Sequence, residues 1–165
     1  MRFFLIRHAS AFDSSKEKND AQRRLTEKGK RQSQILKNDF DSSGIIADAI
    51  FTSPAFRALQ TAEIINGKKR KQNIKIVEGL YTWKSAARIK RFILQIKNKK
   101  FVFLVGHNPV LSELVSHLLD CPFKLPKSGV LGFSIKIKNQ TPEFTCDYWD
   151  CGNRKKRDRG RVLFV

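Results

Sequence analysis

Short apolar runs of strand-forming residues alternate with longer segments of helical periodicity, and this alternation constrains the fold more than any other feature. The predicted strands are Phe3 to Ile6, Ala49 to Thr52, Ile74 to Val77 and Phe101 to Val105. The predicted helices are Thr26 to Phe40, Phe56 to Ile65, Ser85 to Lys97 and Val110 to Leu119. Strands separated by helices form a largely parallel sheet with helices on both faces. Leu131 to Ile137 and Phe144 to Tyr148 then predict an antiparallel pair at one edge of the sheet.

Local signals mark where the predicted helices begin and end. Thr26 is a suitable N-cap for the first helix. Ser53 is predicted to cap the second helix, with Pro54 in its first turn, and Gly67 is predicted to end it. Pro109 is predicted at the first position of the fourth helix.

Length and composition indicate one folded, soluble domain spanning residues 1–165, without a linker. The chain has 165 residues, of which 41% are hydrophobic and 29% are charged, and this size is sufficient to bury a core. No apolar run approaches the roughly 18 residues of a membrane helix. The run from Phe3 to Ile6 is too short for the apolar region of a signal peptide. We therefore expect a cytoplasmic protein with no membrane segment.

The cysteines and one of the histidines are predicted to be structural. Cys121, Cys146 and Cys151 are an odd number and too sparse for a disulfide framework. Cys146 and Cys151 together with His117 match no common zinc spacing. His117 itself lies on an apolar helical stripe, where a lone histidine is usually a core residue.

The formal net charge of +18 is concentrated in two segments. Residues 66–100 hold twelve Lys and Arg against one acid, Glu78, and residues 153–161 hold six against one. Such a field raises the association rate of acidic proteins, phosphorylated ligands and nucleic acids. A solvated lysine-rich surface is an equally good interpretation. A basic nucleic-acid-binding module is a further alternative, although no known nucleic-acid motif is present.

Two predicted strands end in a histidine, and these positions carry the chemistry. His8 follows Phe3 to Ile6 directly after Arg7, and His107 follows Phe101 to Val105. Parallel strands converge at their carboxyl ends on one crevice, where ligands bind. Arg57, in the first turn of the second helix, is expected at the same place, where the helix N-terminus also favours anions. The combination predicts a pocket for a phosphoryl group.

Each of these residues suits phosphoryl transfer. An arginine presents a planar fork of donors that matches two phosphate oxygens. A neutral histidine attacks phosphorus and forms a covalent intermediate that water then cleaves. We interpret His107 as a donor to a phosphoryl oxygen, with a pKa that Arg7 and Arg57 lower unless substrate charge is present.

The motifs FFLIRHASA, RLTEKG, FTSPAFRALQTA and LVGHNP resemble, in this order, the histidine phosphatase superfamily, also called phosphoglycerate mutase-like. The short chain and the RLTEKG segment resemble its phosphohistidine phosphatases of the SixA type. The resemblance implies a three-layer α/β/α sandwich, a nucleophilic His8, and a phosphate pocket formed by Arg7, Arg57 and His107. It also implies that no metal or cofactor is needed. Arg24 either reaches the substrate or has a surface role.

One departure from the family pattern concerns the general acid. Many members carry a glutamate shortly after strand three, where this chain has Thr82, and Glu78 lies slightly early. Loss of a positioned acid typically costs about 10²–10⁴ in rate for a poor leaving group. The imidazole of phosphohistidine is a better leaving group and manages without one. We therefore expect a phosphatase for phosphohistidine in a protein, such as a carrier domain, and as an alternative a phosphatase for small phosphomonoesters.

Overall fold

The computed structural model describes residues 1–13, 19–67 and 73–150. The basic segment 153–161, part of the basic stretch 66–100, and Cys151 lie outside the described residues. The expectation of one domain over residues 1–165 therefore stays a prediction.

A six-stranded sheet forms the centre of the fold. The strands are β1 (Arg2–Arg7), β2 (Ala49–Thr52), β3 (Ile74–Ile76), β4 (Phe101–Gly106), β5 (Val130–Lys138) and β6 (Thr141–Asp150). Their spatial order is β3-β2-β4-β1-β5-β6. The first four in this order are parallel, whereas β5 runs antiparallel to β1 and pairs with β6. This topology confirms both the parallel sheet and the antiparallel pair at its edge.

Helices cover both faces of the sheet. They are α1 (Glu27–Ser42), α2 (Phe56–Asn66), α3 (Gly79–Thr82), α4 (Ala86–Gln95) and α5 (Val110–Leu119). Side chains alternate across a strand, so Phe3 and Leu5 of β1 pack on the α4 and α5 side, while Phe4 and Ile6 pack on the α1 and α2 side. The predicted three-layer α/β/α sandwich, of the phosphoglycerate mutase-like type, is confirmed.

Several local predictions hold and others are wrong. The Thr26 hydroxyl caps α1 by accepting from the Gly29 amide, and Gly67 ends α2 with a positive φ. Ser53, however, does not cap α2, whose N-cap is Ala55. Pro109 is the N-cap of α5 rather than its first residue. His117 is exposed on α5 and is not a core residue.

The topology brings the carboxyl ends of the parallel strands to one edge of the sheet. Arg7 at the end of β1 pairs with Gly106 at the end of β4, and Thr52 at the end of β2 pairs with Val105. The residues that follow these strands therefore share one crevice. In the part of the chain that the structure describes, no helix is long and apolar enough to cross a membrane.

Candidate active site

A pocket of about 320 Å³ opens at the carboxyl ends of β1, β2 and β4. It is lined mainly by charged and polar side chains. These are Arg7, His8, Asp13, Asp20, Arg23, Arg57, His107, Asn108 and Lys127, together with Ala11. Its arginines, lysine and histidines outnumber its two carboxylates, so the pocket favours an anion.

His8 is held as a neutral imidazole with its lone pair on Nε2. Its Nδ1 lies 2.8 Å from the Ala9 carbonyl oxygen. A carbonyl oxygen only accepts hydrogen bonds, so Nδ1 carries the ring proton. Arg57 Nε donates to Nε2 at 3.3 Å, which agrees with this tautomer. Burial is the main cause that lowers the pKa of His8 to about 4, and the charges of Arg57 and Arg7 lower it further.

His107 lies beside His8, with the two ring centroids 5.0 Å apart. Its Nε2 is 2.6 Å from the Ser53 hydroxyl, which also accepts from the Ala55 amide. Ser53 therefore fixes the orientation of the ring instead of capping α2. Burial, followed by the charges of His8 and Arg57, lowers the pKa of His107 to about 3. The pKa of His107 is lowered as expected, although burial contributes more to this shift than the charge of the arginines does.

Arg57 is nearly buried, with 5% of its surface exposed. Its two terminal nitrogens donate to Asp20: Nη1 to the backbone oxygen at 2.6 Å and Nη2 to Oδ2 at 2.8 Å. Asp20 belongs to a short 3-10 turn, Asp20–Gln22, that precedes α1. It also accepts from the Tyr81 hydroxyl at 2.9 Å, and its Oδ1 lies 3.0 Å from Arg23 Nε. That second contact is an ion pair outside hydrogen-bond geometry, since Arg23 Nε has no hydrogen-bond partner among the described residues.

Arg7 and Asn108 are fixed through one backbone oxygen. Arg7 Nη1 and Asn108 Nδ2 donate to the Leu125 carbonyl at 3.0 Å and 2.9 Å. Within the described part of the chain, Arg7 Nε is buried without a hydrogen-bond partner. Arg7 thus lines the pocket and keeps a donor that the described part of the fold does not use.

The backbone after His8 is held by contacts to two helices. The buried Thr61 hydroxyl accepts from the Ala9 amide and donates to the Arg57 carbonyl oxygen. Ser10 lies against Gly29 of α1, where a Cβ would come within 2.0 Å of the Ser10 carbonyl oxygen. The glycine of RLTEKG therefore permits a close approach that places the segment carrying His8.

The histidine phosphatase superfamily (branch 1) model matches residues 3–85, which is just over half of the chain. The chain belongs to the histidine phosphatase superfamily. An uncharacterized protein of Picosynechococcus sp. (strain PCC 7002) is 28% identical over 139 residues, covering 80% of this chain and 84% of that protein. The segment that the family model matches, residues 3–85, contains His8 and Arg57 but ends before His107.

Solved structures of histidine phosphatases share this fold. The protein histidine phosphatase SixA complexed with tungstate superposes with a TM-score of 0.81 at 19% identity, over 94% of this chain and 100% of that one. A phosphoserine phosphatase variant of Entamoeba histolytica in complex with phosphoserine superposes with a TM-score of 0.68 at 18% identity, over 94% and 99%. The fold is thus that of SixA, and the chain is a phosphatase of this superfamily.

The structure brings together the four predicted site residues of this phosphatase, Arg7, His8, Arg57 and His107, in one pocket. It does not bring Arg24 there. Arg24 is exposed and stacks on the Phe56 ring, and Arg23 lines the pocket in its place.

Neither candidate for the general acid lines the pocket. Glu78 and Thr82 are exposed, and the Thr82 hydroxyl donates to the Glu78 carbonyl oxygen. Sequence reasoning did not find the pocket residues Asp20 and Arg23. It also missed Ser53 and Tyr81, which contact His107 and Asp20. Only Asp20 and Arg23 carried a local signal, an acid and a base three residues apart just before LTEKG.

Proposed function

We propose that this phosphatase removes the phosphoryl group from phosphohistidine in a protein, by way of a phosphohistidine intermediate on His8. The observation that carries the proposal is the state of His8. It is neutral, its lone pair is on Nε2, and Nε2 is 3.3 Å from Arg57 Nε inside a cationic pocket. A nucleophile and the charge that stabilises the transferred group are therefore adjacent.

In the first step, the His8 Nε2 lone pair attacks phosphorus. The Nε2–P bond forms while the P–N bond of the substrate breaks, and the substrate histidine leaves as neutral imidazole when its other ring nitrogen is protonated. Arg7 and Arg57 hold the equatorial oxygens, on which the charge of the transition state is spread. His107 donates from its ring to a phosphoryl oxygen.

In the second step, water attacks phosphorus of phospho-His8. The Nε2–P bond breaks, both protons of the water remain on the orthophosphate and its surroundings, and His8 returns to the neutral state. The Ala9 carbonyl holds the proton on Nδ1 throughout, so His8 also leaves as a neutral imidazole. The proposed cycle uses neither a metal nor a cofactor.

The choice of substrate rests on the proton that the leaving group needs. An alkoxide must be protonated as it leaves, whereas an imidazole protonated on its second nitrogen leaves as a neutral molecule. The carboxylate of Asp20 is engaged by Arg57 and Tyr81, and its pKa is below the ordinary value, so it is not a proton donor. The exposed Arg88, Lys90 and Arg91 of α4 favour an acidic phosphoprotein as the partner.

A small phosphomonoester is the second candidate substrate. Asp13 also lines the pocket, and its carboxyl group is the candidate proton donor to an alkoxide. The fold likeness to the phosphoserine phosphatase of E. histolytica agrees with this alternative. Nucleic-acid binding has no comparable support, and a cytoplasmic location stays a prediction from the sequence.

The experiment measures phosphate release in the presence of EDTA from a phosphohistidine-bearing carrier protein and from p-nitrophenyl phosphate. Wild type is compared with His8→Ala and with His117→Ala, a matched control at the exposed histidine of α5. We expect release from the carrier by wild type and His117→Ala, and none by His8→Ala. Trapping of the phosphorylated enzyme and phosphorus NMR are expected to show the label on a histidine nitrogen.

The outcomes separate the candidates. Release from the ester but not from the carrier would reject phosphohistidine and favour the phosphomonoester. Asp13→Asn would then be expected to slow release from an alkyl ester such as phosphoserine, whose alkoxide needs a proton, and not from p-nitrophenyl phosphate. Undiminished release by His8→Ala would reject the nucleophile itself.

A further inference from the structure

Asp20 binds the end of the Arg57 guanidinium and leaves one edge of it toward His8. Nη1 and Nη2 of Arg57 are the two nitrogens that Asp20 accepts from, through its backbone oxygen and its carboxylate. Nε, on the adjacent edge, points at His8 Nε2. A phosphoryl oxygen beside His8 would meet this Nε–Nη2 edge, because a guanidinium offers its donors in one plane.

Asp20 is in turn held by a tyrosine that neither the sequence motifs nor the proposed cycle uses. Tyr81 is on α3, one residue before Thr82, and its hydroxyl donates to Asp20 Oδ2. The Tyr81 ring also meets the His107 ring edge-on, with centroids 5.4 Å apart. One side chain therefore contacts both the carboxylate that binds Arg57 and the second histidine.

We propose that Tyr81 and Asp20 form a positioning pair for Arg57. Tyr81 fixes the Asp20 carboxylate, and the carboxylate aligns the guanidinium so that its Nε–Nη2 edge receives the phosphoryl oxygen next to His8. This inference rests on the proposed transfer to His8. An arginine has large rotamer freedom, and a small misplacement of a transition-state donor lowers the rate strongly.

The charge state of Asp20 suits this role. Partial burial raises the pKa of Asp20, but the hydrogen bonds from Tyr81 and Arg57 and the charges of Arg57 and Arg23 outweigh it, so the pKa is lowered. Burial, followed by the hydrogen bond to Asp20, raises the pKa of Tyr81. Both groups therefore keep the protonation states in which Tyr81 donates and Asp20 accepts.

The same contacts are also compatible with the opposite effect of Asp20 on phosphate binding, and the experiment must distinguish the two effects. If Asp20 were only an internal anion that competes with phosphate for Arg57, its weakening would tighten phosphate binding. If Asp20 and Tyr81 position Arg57, their weakening loosens phosphate binding and slows turnover. The two interpretations differ in sign.

The test uses Tyr81→Phe, which keeps the ring against His107 and removes only the hydroxyl. We expect kcat/KM to fall about 5- to 10-fold, the loss that corresponds to one ordinary hydrogen bond at a partly exposed site. The Kd for tungstate, a tetrahedral oxyanion, is expected to rise by a similar factor when measured by calorimetry. Tyr148→Phe makes the same chemical change in β6, outside the pocket lining, and its kinetics and tungstate affinity are expected to match wild type.

A double-mutant cycle shows whether Tyr81 acts through Asp20. In an Asp20→Ala background, Tyr81→Phe is expected to change kcat/KM and the tungstate Kd by less than twofold, because no carboxylate remains to be fixed. A purely structural role of Tyr81 would instead give the same loss in both backgrounds and a lowered melting temperature.

Three results would overturn the proposal: unchanged kinetics and tungstate affinity in Tyr81→Phe, additive effects in the cycle, or tighter tungstate binding without loss of turnover. The binding readout also separates this inference from the proposed function. If wild type released phosphate from neither substrate, the proposed function would fail, whereas the tungstate affinities would still decide whether the pair positions Arg57.

Discussion

The two pocket histidines make the stability of this phosphatase depend on pH, and the size of this dependence follows from their pKa values. His8 and His107 have pKa values of about 4 and about 3 in the folded chain, against 6.5 for the free side chain. The unfolded state therefore binds more protons than the folded state below pH 6.5, and acid favours unfolding. The contribution of the two neutral histidines to the free energy of unfolding is fully present above pH 6.5. It decreases as the pH is lowered, until the folded histidines themselves take up protons near pH 4 and pH 3.

The size of the effect follows from the same values. A pH of 5 lies about 1.5 units below the pKa of an unfolded histidine, and each unit corresponds to about 1.4 kcal/mol. The ionisation of each pocket histidine then lowers the free energy of unfolding by about 2 kcal/mol between pH 7 and pH 5. Together they account for about 4 kcal/mol, a large part of the stability of a typical domain.

The assay is urea unfolding at pH 7 and at pH 5, followed by tryptophan fluorescence. The quantity compared is the difference between the two pH values, so any direct effect of a substitution on stability cancels. We expect this difference to shrink by about 2 kcal/mol in His8→Gln and in His107→Gln. His117→Gln, the same substitution at the exposed histidine of α5, is the matched control. An equal pH dependence in wild type and both pocket variants would refute the assignment of these protons.

Three further predictions concern residues around the pocket. In Gly29→Ala the new Cβ would lie 2.0 Å from a backbone oxygen of the segment after β1. We therefore expect the free energy of unfolding, measured by thermal unfolding, to fall by about 1–3 kcal/mol, and wild-type stability would contradict this packing. Ser53→Ala removes the hydroxyl that holds the His107 ring and leaves the Ala55 amide without its acceptor, so we expect kcat to fall about tenfold and the melting temperature to fall. Full activity would show that the contact to His107 does not affect turnover. Arg23→Ala is expected to weaken orthophosphate binding about tenfold and Arg24→Ala to leave it unchanged, and calorimetry giving the reverse order would reject the placement of these two arginines.

The central strands were predictable because helices cover both of their faces, so almost all of their side chains are apolar. Phe3, Phe4, Leu5 and Ile6 are completely buried, and a strand with helices on both faces must be apolar on both sides. Such a run is visible in the sequence without any structural information. The alternation of these runs with helical segments then determined the parallel sheet, and with it the edge at which His8 and His107 meet.

The errors fall where a contact distant in sequence decides the local structure. Ser53 has the residue type of an N-cap, but its hydroxyl binds His107, 54 residues further along the chain. The four residues of α3 are too few for helical periodicity to appear. Asp20 meets Arg57 across 37 residues and Tyr81 across 61. No pattern within a sequence window contains these pairings, so the motifs predicted the nucleophile and its arginine but not the groups around them.

The position of Tyr81 links this missed group to the missing general acid. A second carboxylate at this place, facing Asp20, would raise the pKa of one of the two acids and create a proton donor. Tyr81 does the opposite, because its hydroxyl donates to the charged form of Asp20 and lowers its pKa. The carboxylate therefore remains ionised and bound to Arg57. A pocket built in this way stabilises the phosphoryl group strongly, but its Asp20 carboxylate offers no proton to the leaving group. The imidazole of a phosphohistidine leaves without such a proton, whereas the alkoxide of an alkyl ester needs one.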